Sequence, residues 1–361
     1  MLKLYKYDLP FKTSLITASA RYNSRVGFIL RYTDTQTDIV TEIAPLPGFS
    51  KETDDDIINL LREHHSTIYQ FLNDPFKLED LNSFINEITT FPSLQFGLSW
   101  LGATLLYSVN PNISNSFWDH KPHPNVKVND VIGSLEPNEL KEKLKESAQS
   151  GFQTIKIKCA QPDSDTAGAI RSILAEYPDL KIRLDANQSW DQTSADLFNQ
   201  YYQDLPVEYI EEPFLEIEQG QSPPLSAPVA RDESIRSLKE LSEHFHSHPE
   251  RYVIIKPMLF GNIFHLAETI SAGRGMNRNI VITNLLESAV GRSFNLRFAS
   301  LFGDPGIAHG LNTGKFFKTD LMPDHQLRNG LSDINQAVFQ PIDFNRLKTE
   351  LLKEIELPNA K

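Results

Sequence analysis

The sequence predicts an α/β protein, a (β/α)8-type barrel preceded by an α+β unit. Three observations predict it. Short apolar strands alternate with amphipathic helices from about residue 128 onward, the pattern of crossover βα units. A stretch rich in Pro and Asn at 110–128 separates them from what comes before. The first hundred or so residues read as three strands followed by a helix. A length of 361 residues suits two domains, or one large barrel with attached pieces.

In the first unit, 3–8 and 25–33 carry strand-type residues and 38–43 returns as a third strand. The polar stretch 17–24 and the Pro- and Gly-rich 45–50 are candidate mobile loops. A helix is expected from Glu52, with Ser50 as its N-cap and acids in its first turn. Ile57, Leu60, Leu61, Ile68, Phe71 and Leu72 recur there at helical spacing. Beyond the boundary the strand candidates are 128–132, 154–158, 182–185, 209–211, 229–232, 252–256, 280–285 and 306–309. Between them, 138–150, 166–177, 194–204, 238–245, 263–272 and 290–301 are amphipathic helices. An open doubly wound sheet is the competing architecture, but no Gly-rich nucleotide turn follows any strand.

Composition narrows the function. With 40% hydrophobic and 23% charged residues the chain is ordinary for a globular protein. Its net charge of −12 disfavours nucleic acid and membrane surfaces, so a small-molecule partner is expected, and an anionic one needs a locally cationic pocket. Cys159 is the only cysteine, which excludes intrachain disulfides, zinc fingers and iron–sulfur frameworks. The first eight residues lack the apolar core of a signal peptide, and the apolar run near Tyr252 is interrupted by Lys256. The expectation is a soluble, cytoplasmic protein; nothing in the residues bears on its oligomeric state.

Charged residues recur where the strands end, the catalytic face of such barrels. The segments are Lys156-Ile157-Lys158, Arg183-Leu184-Asp185-Ala186-Asn187, Ile210-Glu211-Glu212-Pro213, Arg231-Asp232-Glu233-Ser234 and Ile255-Lys256-Pro257. Alternation along a strand puts Lys156 and Lys158 on one face, and Arg183, Asp185 and Asn187 on one face. If that face is the barrel interior, Asp185, Glu211 and Asp232, from three successive strands, converge on one point. All-oxygen ligation of that kind suits Mg²⁺. One Asp or Lys at a strand end is ordinarily a solvated loop charge; the joint pattern is not.

Taken in order, these segments resemble the enolase superfamily, in its muconate-lactonizing subgroup. Supporting pieces are Glu42-Ile43-Ala44-Pro45-Leu46-Pro47-Gly48-Phe49-Ser50, Leu285-Leu286-Glu287-Ser288-Ala289-Val290-Gly291-Arg292 and Ala308-His309-Gly310-Leu311-Asn312-Thr313-Gly314. The resemblance implies a modified (β/α)7β TIM-type barrel over 121–321 with an N-terminal α+β capping domain over 1–120, completed by 322–361. Loops near 17–23 and 47–50 would close over the substrate. It implies Asp185, Glu211 and Asp232 as ligands of Mg²⁺, for which Mn²⁺ can substitute, and Lys158 as general base, a pairing known across the superfamily. A lysine is a base only when neutral, a form that the like charges of Lys156 and Mg²⁺ should favour. Lys256, across the barrel, would stabilise the enediolate by charge and cation–π contact.

The implied reaction is a Mg²⁺-dependent syn-dehydration. Lys158 removes the proton α to a carboxylate and then protonates the departing hydroxyl on the same face, leaving water and an aromatic ring. Arg183 and Asn187 are candidates to orient substrate, the backbone at Ser288 to receive a second carboxylate, and Glu233 to support the ligands from behind. Alternatives are a racemase of N-succinylamino acids or a dipeptide epimerase of the same superfamily and, more remotely, a non-catalytic barrel that binds a metal or a partner. Dipeptide epimerases typically carry an Asp-x-Asp pair at the eighth strand, where this chain reads Gly310-Leu311-Asn312-Thr313-Gly314. Cys159 is expected to be a packed thiol, Glu287 and His309 structural. His244, His246 and His248, spaced by two near the end of a surface helix, are read as not sharing a face and so as no zinc site.

Overall fold

The computed structural model describes residues 1–361 apart from 17–20, 113–116, 118–119, 216–222, 326, 335–337 and 359–361, and apart from the side chain of Ile16. Strands β1 (Leu2–Ile16), β2 (Arg21–Thr33) and β3 (Asp38–Ile43) form an antiparallel sheet. Along β1, Tyr7, Leu9 and Phe11 are buried while Asp8 is exposed, the period-2 pattern of a sheet with one wet face. The strands run further than the sequence suggested. The polar stretch expected as a loop is strand from Arg21 onward, and its first part, 17–20, lies outside the described residues.

Three helices follow, α1 (Asp54–Asn73), α2 (Leu78–Ile88) and α3 (Pro92–Val109). The N-cap of α1 is Thr53, not Ser50. Thr53 accepts from the Asp56 amide at 3.2 Å and its own amide donates to Asp56 at 2.9 Å, a reciprocal box that Ser50 cannot form. Ser50 instead closes the preceding turn, accepting from Leu46 N at 2.9 Å. Helix α3 is buried from Ser93 through Leu105 except for Gln95, because it lies between the first unit and the barrel, packed on β3 and on helices of the barrel.

The barrel is built from β5 (Asp130–Ile132), β6 (Thr154–Lys158), β7 (Lys181–Asp185), β8 (Val207–Glu211), β9 (Val229–Arg231), β10 (Tyr252–Ile255) and β11 (Asn279–Ile282), preceded by β4 (Asn125–Lys127). Between strands lie α4 (Pro137–Gln149), α5 (Ser164–Glu176), α6 (Gln192–Tyr202), α7 (Leu238–Ser247), the short α8 (Pro257–Phe260) and α9 (Ile263–Gly275), with α10 (Ala289–Phe302) after β11. The seven strands pair in parallel in sequence order, β5 through β11. The expected eighth strand at 306–309 is reduced to two bridges, His309 with Val128 and Gly310 with Thr283, which close the curled sheet. A turn at Asp304–Ile307 and another at His309–Leu311 hold the chain on either side, leaving no room for a longer ladder.

The remaining strands are β12 (Leu327–Arg328), β13 (Leu331–Asp333) and β14 (Leu352–Ile355); β13 pairs with β4, and β14 adds to the first sheet beside β1. Ile155, Ile157, Ile182, Leu184 and Ile210 point outward and pack with the helices. Tyr209, Ala230, Ile254, Val281 and Ile307 fill the interior. The charged partners of that alternation therefore face inward at the strand ends. Among the described residues no helix is long and apolar enough to cross a membrane.

Candidate active site

Register brings the charges together. Lys158 lies opposite Asp185, and Asp185 opposite Glu211, so adjacent strand ends place these side chains side by side. Lys156 Nζ sits 2.8 Å from both Asp185 Oδ2 and Glu211 Oε1. Lys158 Nζ donates to Asp185 Oδ2 at 2.7 Å and to Asn187 Oδ1 at 2.6 Å. Lys256, just past β10, donates to both oxygens of Asp232. Because β6 and β10 are four places apart in a curled sheet, Lys158 and Lys256 approach from opposite sides of the barrel.

A second layer of contacts fixes this arrangement. Asn187 has φ 46°, a left-handed conformation that Asn tolerates better than most residues, and its Nδ2 donates to Glu233 Oε1 at 3.3 Å. Glu212, fully buried with φ 42°, is a strained backbone position. Its carboxylate accepts from Asp232 N at 2.7 Å, Ser234 N at 3.1 Å and Ser234 Oγ at 2.5 Å. Those bonds set the direction of Asp232, so Glu212 is a positioning residue that the sequence reading quoted without giving it a role. Phe49, at the tip of 45–50, lies 5.9 Å from Lys256 Nζ, and Tyr22 Oη holds the same loop by donating to Pro47 O at 2.5 Å.

The electrostatics of the cluster are uneven. Burial pushes the Glu211 carboxyl up to about 7, and Asp185 and Asp232 beside it add to the shift against the pull of Lys156. Burial likewise raises Asp232, opposed by Lys256. At Asp185 burial is outweighed by Lys156 and Lys158, which hold it below the usual carboxylate range. Burial would neutralise Lys156 and Lys256, but the surrounding carboxylates outweigh it and keep both charged.

Two residues, Arg183 and Ser288, stand where the sequence did not put them, while Glu287, Cys159 and His309 are buried structural groups as expected. Arg183 is fully buried one layer below Asp185, with Nε on Glu208 at 2.7 Å, Nη1 on Asn129 and Ala308 O, and its guanidinium 4.6 Å from the Tyr209 ring. A side chain so engaged braces the barrel floor and does not reach the cluster. Ser288 caps α10, and both its amide and its hydroxyl are given to Glu42, so the backbone expected to receive a carboxylate is already occupied. Glu287 is buried and turned to Leu285 N and Asn295. Burial raises the Cys159 thiol to about 12, and that of His309 lowers its imidazole to about 3, where Nδ1 accepts from Ile282 N.

The lysines divide the three acids between them. Asp185 and Glu211 share Lys156, while Asp232 is drawn to Lys256. Among the described residues, the one trio of ligand-type side chains whose donor atoms lie within 4.8 Å of one another is His244, His248 and Glu250. The donor set at the strand ends still suits a hard divalent cation. It is all oxygen, buried and on adjacent strands, and the raised Glu211 marks negative charge that the lysines only partly compensate. Chemically, the arrangement offers a cation site flanked by two amines on opposite sides.

Residues 139–334 match the model described as "Enolase C-terminal domain-like", and residues 1–105 match "MenC, N-terminal domain". Among curated proteins the chain is 28% identical to an o-succinylbenzoate synthase from Aliivibrio salmonicida, over 88% of this chain and 92% of that one. It is 27% identical to a protein of the same name from Klebsiella pneumoniae, over 86% and 90%. Among solved structures, a muconate lactonizing enzyme from Pseudomonas fluorescens aligns with a TM-score of 0.76 at 14% identity, covering 96% of this chain and 97% of that one. The L-Ala-D/L-Glu epimerase from Bacillus subtilis aligns at 0.73 and 16%, covering 92% and 95%; both likenesses concern the fold.

Proposed function

The chain belongs to the enolase superfamily, and from that premise we propose that it is an o-succinylbenzoate synthase. The reaction is the syn-dehydration of 2-succinyl-6-hydroxy-2,4-cyclohexadiene-1-carboxylate to o-succinylbenzoate, a step of menaquinone biosynthesis. The observation that carries the reading is the pair of lysines on opposite sides of the buried carboxylates, Lys158 on Asp185 and Lys256 on Asp232. The relatives of that name, which align over most of the chain, support the choice of substrate.

Asp185, Glu211 and Asp232 are the residues that would hold a divalent cation, Mg²⁺ or Mn²⁺. When bound, it supplies positive charge to the substrate carboxylate as that group gains a second negative charge. Lys158, in its neutral form, takes the α-proton; the C–H electrons pass into the carboxyl group, giving an enediolate. The same Nζ then returns the proton to the hydroxyl on the adjoining carbon. The C–O bond breaks, water leaves, and the ring becomes aromatic. Asn187 orients Lys158 and is itself held by Glu233. Lys256, kept charged by Asp232 and Glu233, faces the enediolate from the other side and favours it over the ground state. Lys156 keeps Asp185 and Glu211 in place.

The test is the ultraviolet loss of the cyclohexadiene with purified protein and Mg²⁺; its absence would remove the assignment. Racemisation of N-succinylamino acids with deuterium uptake from solvent, in a protein that leaves the diene unchanged, would install the racemase reading in its place.

A further inference from the structure

At the opposite end of the barrel from the strand-end cluster, α7 runs into β10 through Pro249. Six residue steps, at most about 20 Å of chain, separate Glu250 from Lys256. His244 and His248 are four apart, so they share a side of the helix end. The spacing of two sets only His246 aside, and the expectation that none of the three shares a face fails for His244 and His248; His246 Nδ1 lies 2.7 Å from Ser242 O. The rings of His244 and His248 stack with centroids 4.9 Å apart, and His248 Nδ1 is 3.9 Å from Glu250 Oε2. One donor atom from each of the three residues falls within 4.8 Å of the other two.

Two atoms here are buried without a hydrogen-bond partner, His244 Nε2 and Glu250 Oε2. His244 is only 4% exposed. Leaving such groups unpaired carries a desolvation penalty that a ligand would remove. The frame around them is fixed. Arg231 holds Glu250 Oε1 through Nε at 3.1 Å and Nη2 at 2.5 Å, leaving Oε2. Arg278 spans the turn, donating to Phe245 O, His248 O and Glu250 O. These two guanidinium groups oppose a nearby cation, but Arg231 is engaged by Glu250 Oε1 and Arg278 by three backbone carbonyls, and the carbonyl end of α7 attracts positive charge.

We propose that His244, His248 and Glu250 form a second cation site, for a Zn²⁺-class transition metal, with water completing a tetrahedral shell. Two imidazoles and one carboxylate match such an ion and not Mg²⁺, whose preference is for oxygen. The bound metal ties the end of α7 to the start of β10, and His248, on the rim, provides the route of entry. The site holds no residue of the strand-end cluster, although Arg231, which holds Glu250, also lies 3.8 Å from Glu212 Oε2.

The experiment titrates the full chain with ZnCl₂ in excess Mg²⁺ by calorimetry, and with Co²⁺ by visible absorption. The expected result is one equivalent of Zn²⁺ and a tetrahedral Co²⁺ spectrum, both retained in Glu211→Gln. His248→Gln should weaken binding at least about 100-fold while leaving the catalytic rate with Mg²⁺ unchanged. Glu250→Gln, which keeps an acceptor for Arg231, should weaken it as well and guards against a folding defect in the first variant. Zn²⁺ should raise the unfolding midpoint of the wild type and not that of His248→Gln. Absence of Zn²⁺ binding, equal binding by the wild type and both site variants, or binding lost only in Glu211→Gln would overturn the proposal.

Discussion

Two carboxylates buried in this molecule are treated in opposite ways. Glu42, at the junction between the first sheet and the barrel, accepts from Tyr7 Oη at 2.5 Å, Ser288 N at 2.9 Å, Gly291 N at 2.6 Å and Ser288 Oγ. Glu211, at the end of β8, has Lys156 at 2.8 Å and two other acids as neighbours, and it is pushed up to about 7. The first has its charge satisfied by groups of the fold itself. The second is left short of positive charge, which a fold tolerates where something else is to supply it. Burial alone does not separate structure from function; the completeness of the partner shell does.

The contrast can be broken or sharpened by experiment. Removing divalent cations with a chelator should abolish diene loss, by at least about a thousandfold, with activity restored by Mg²⁺ and secondary structure unchanged. Turnover that survives the chelator would mean the charge deficit at Glu211 has no catalytic use. Glu42→Ala should lower stability by about 3–5 kcal/mol in denaturant unfolding, because several buried donors lose their acceptor at once. A loss under about 1 kcal/mol would put Glu42 among ordinary surface charges.

Glu211 should give the opposite response. Its folded value of about 7 lies above the usual 4.5, so between these the folded state keeps a proton that the unfolded chain has released. The Glu211 contribution to the stability of the metal-free protein therefore falls as pH rises from about 4.5 to 7, by about 3 kcal/mol, while the lowered values of His244 and His309 make their contributions rise over the same range. Glu211→Gln should remove the falling part and tilt the slope of stability against pH upward in urea unfolding; an unchanged slope would contradict it. The smallest effect is expected at Phe49. Loss of its ring near Lys256 should raise KM less than tenfold, with the unfolding midpoint unchanged, as steady-state kinetics and a thermal melt would record.

The sequence carried much of this because alternation is a strict rule. Alternation puts Lys156 and Lys158 on one face and Arg183 and Asp185 on one face, and in the structure Lys158 stands opposite Asp185 and Asp185 opposite Glu211. What it could not carry were depth and partner choice. Arg183 shares the face of Asp185 but sits a layer deeper, where Glu208 and Asn129 take its donors. Ser288 faces Glu42, 246 positions away, a contact no local pattern encodes. The segment 306–309 is apolar enough for a strand, yet the turns around it leave only two bridges. Thr53 outcompetes Ser50 as a cap because Asp56 stands three residues after it, a signal present in the sequence.

The central claim is that Lys158 moves the proton at this strand-end cluster. It is tested most directly with Lys158→Ala, by following diene absorbance and Mg²⁺ binding in the same preparation. The account predicts turnover reduced by about 10³-fold or more, with Mg²⁺ affinity and unfolding midpoint close to those of the wild type. A variant that binds Mg²⁺ and still dehydrates the diene within about tenfold of the wild-type rate would contradict it.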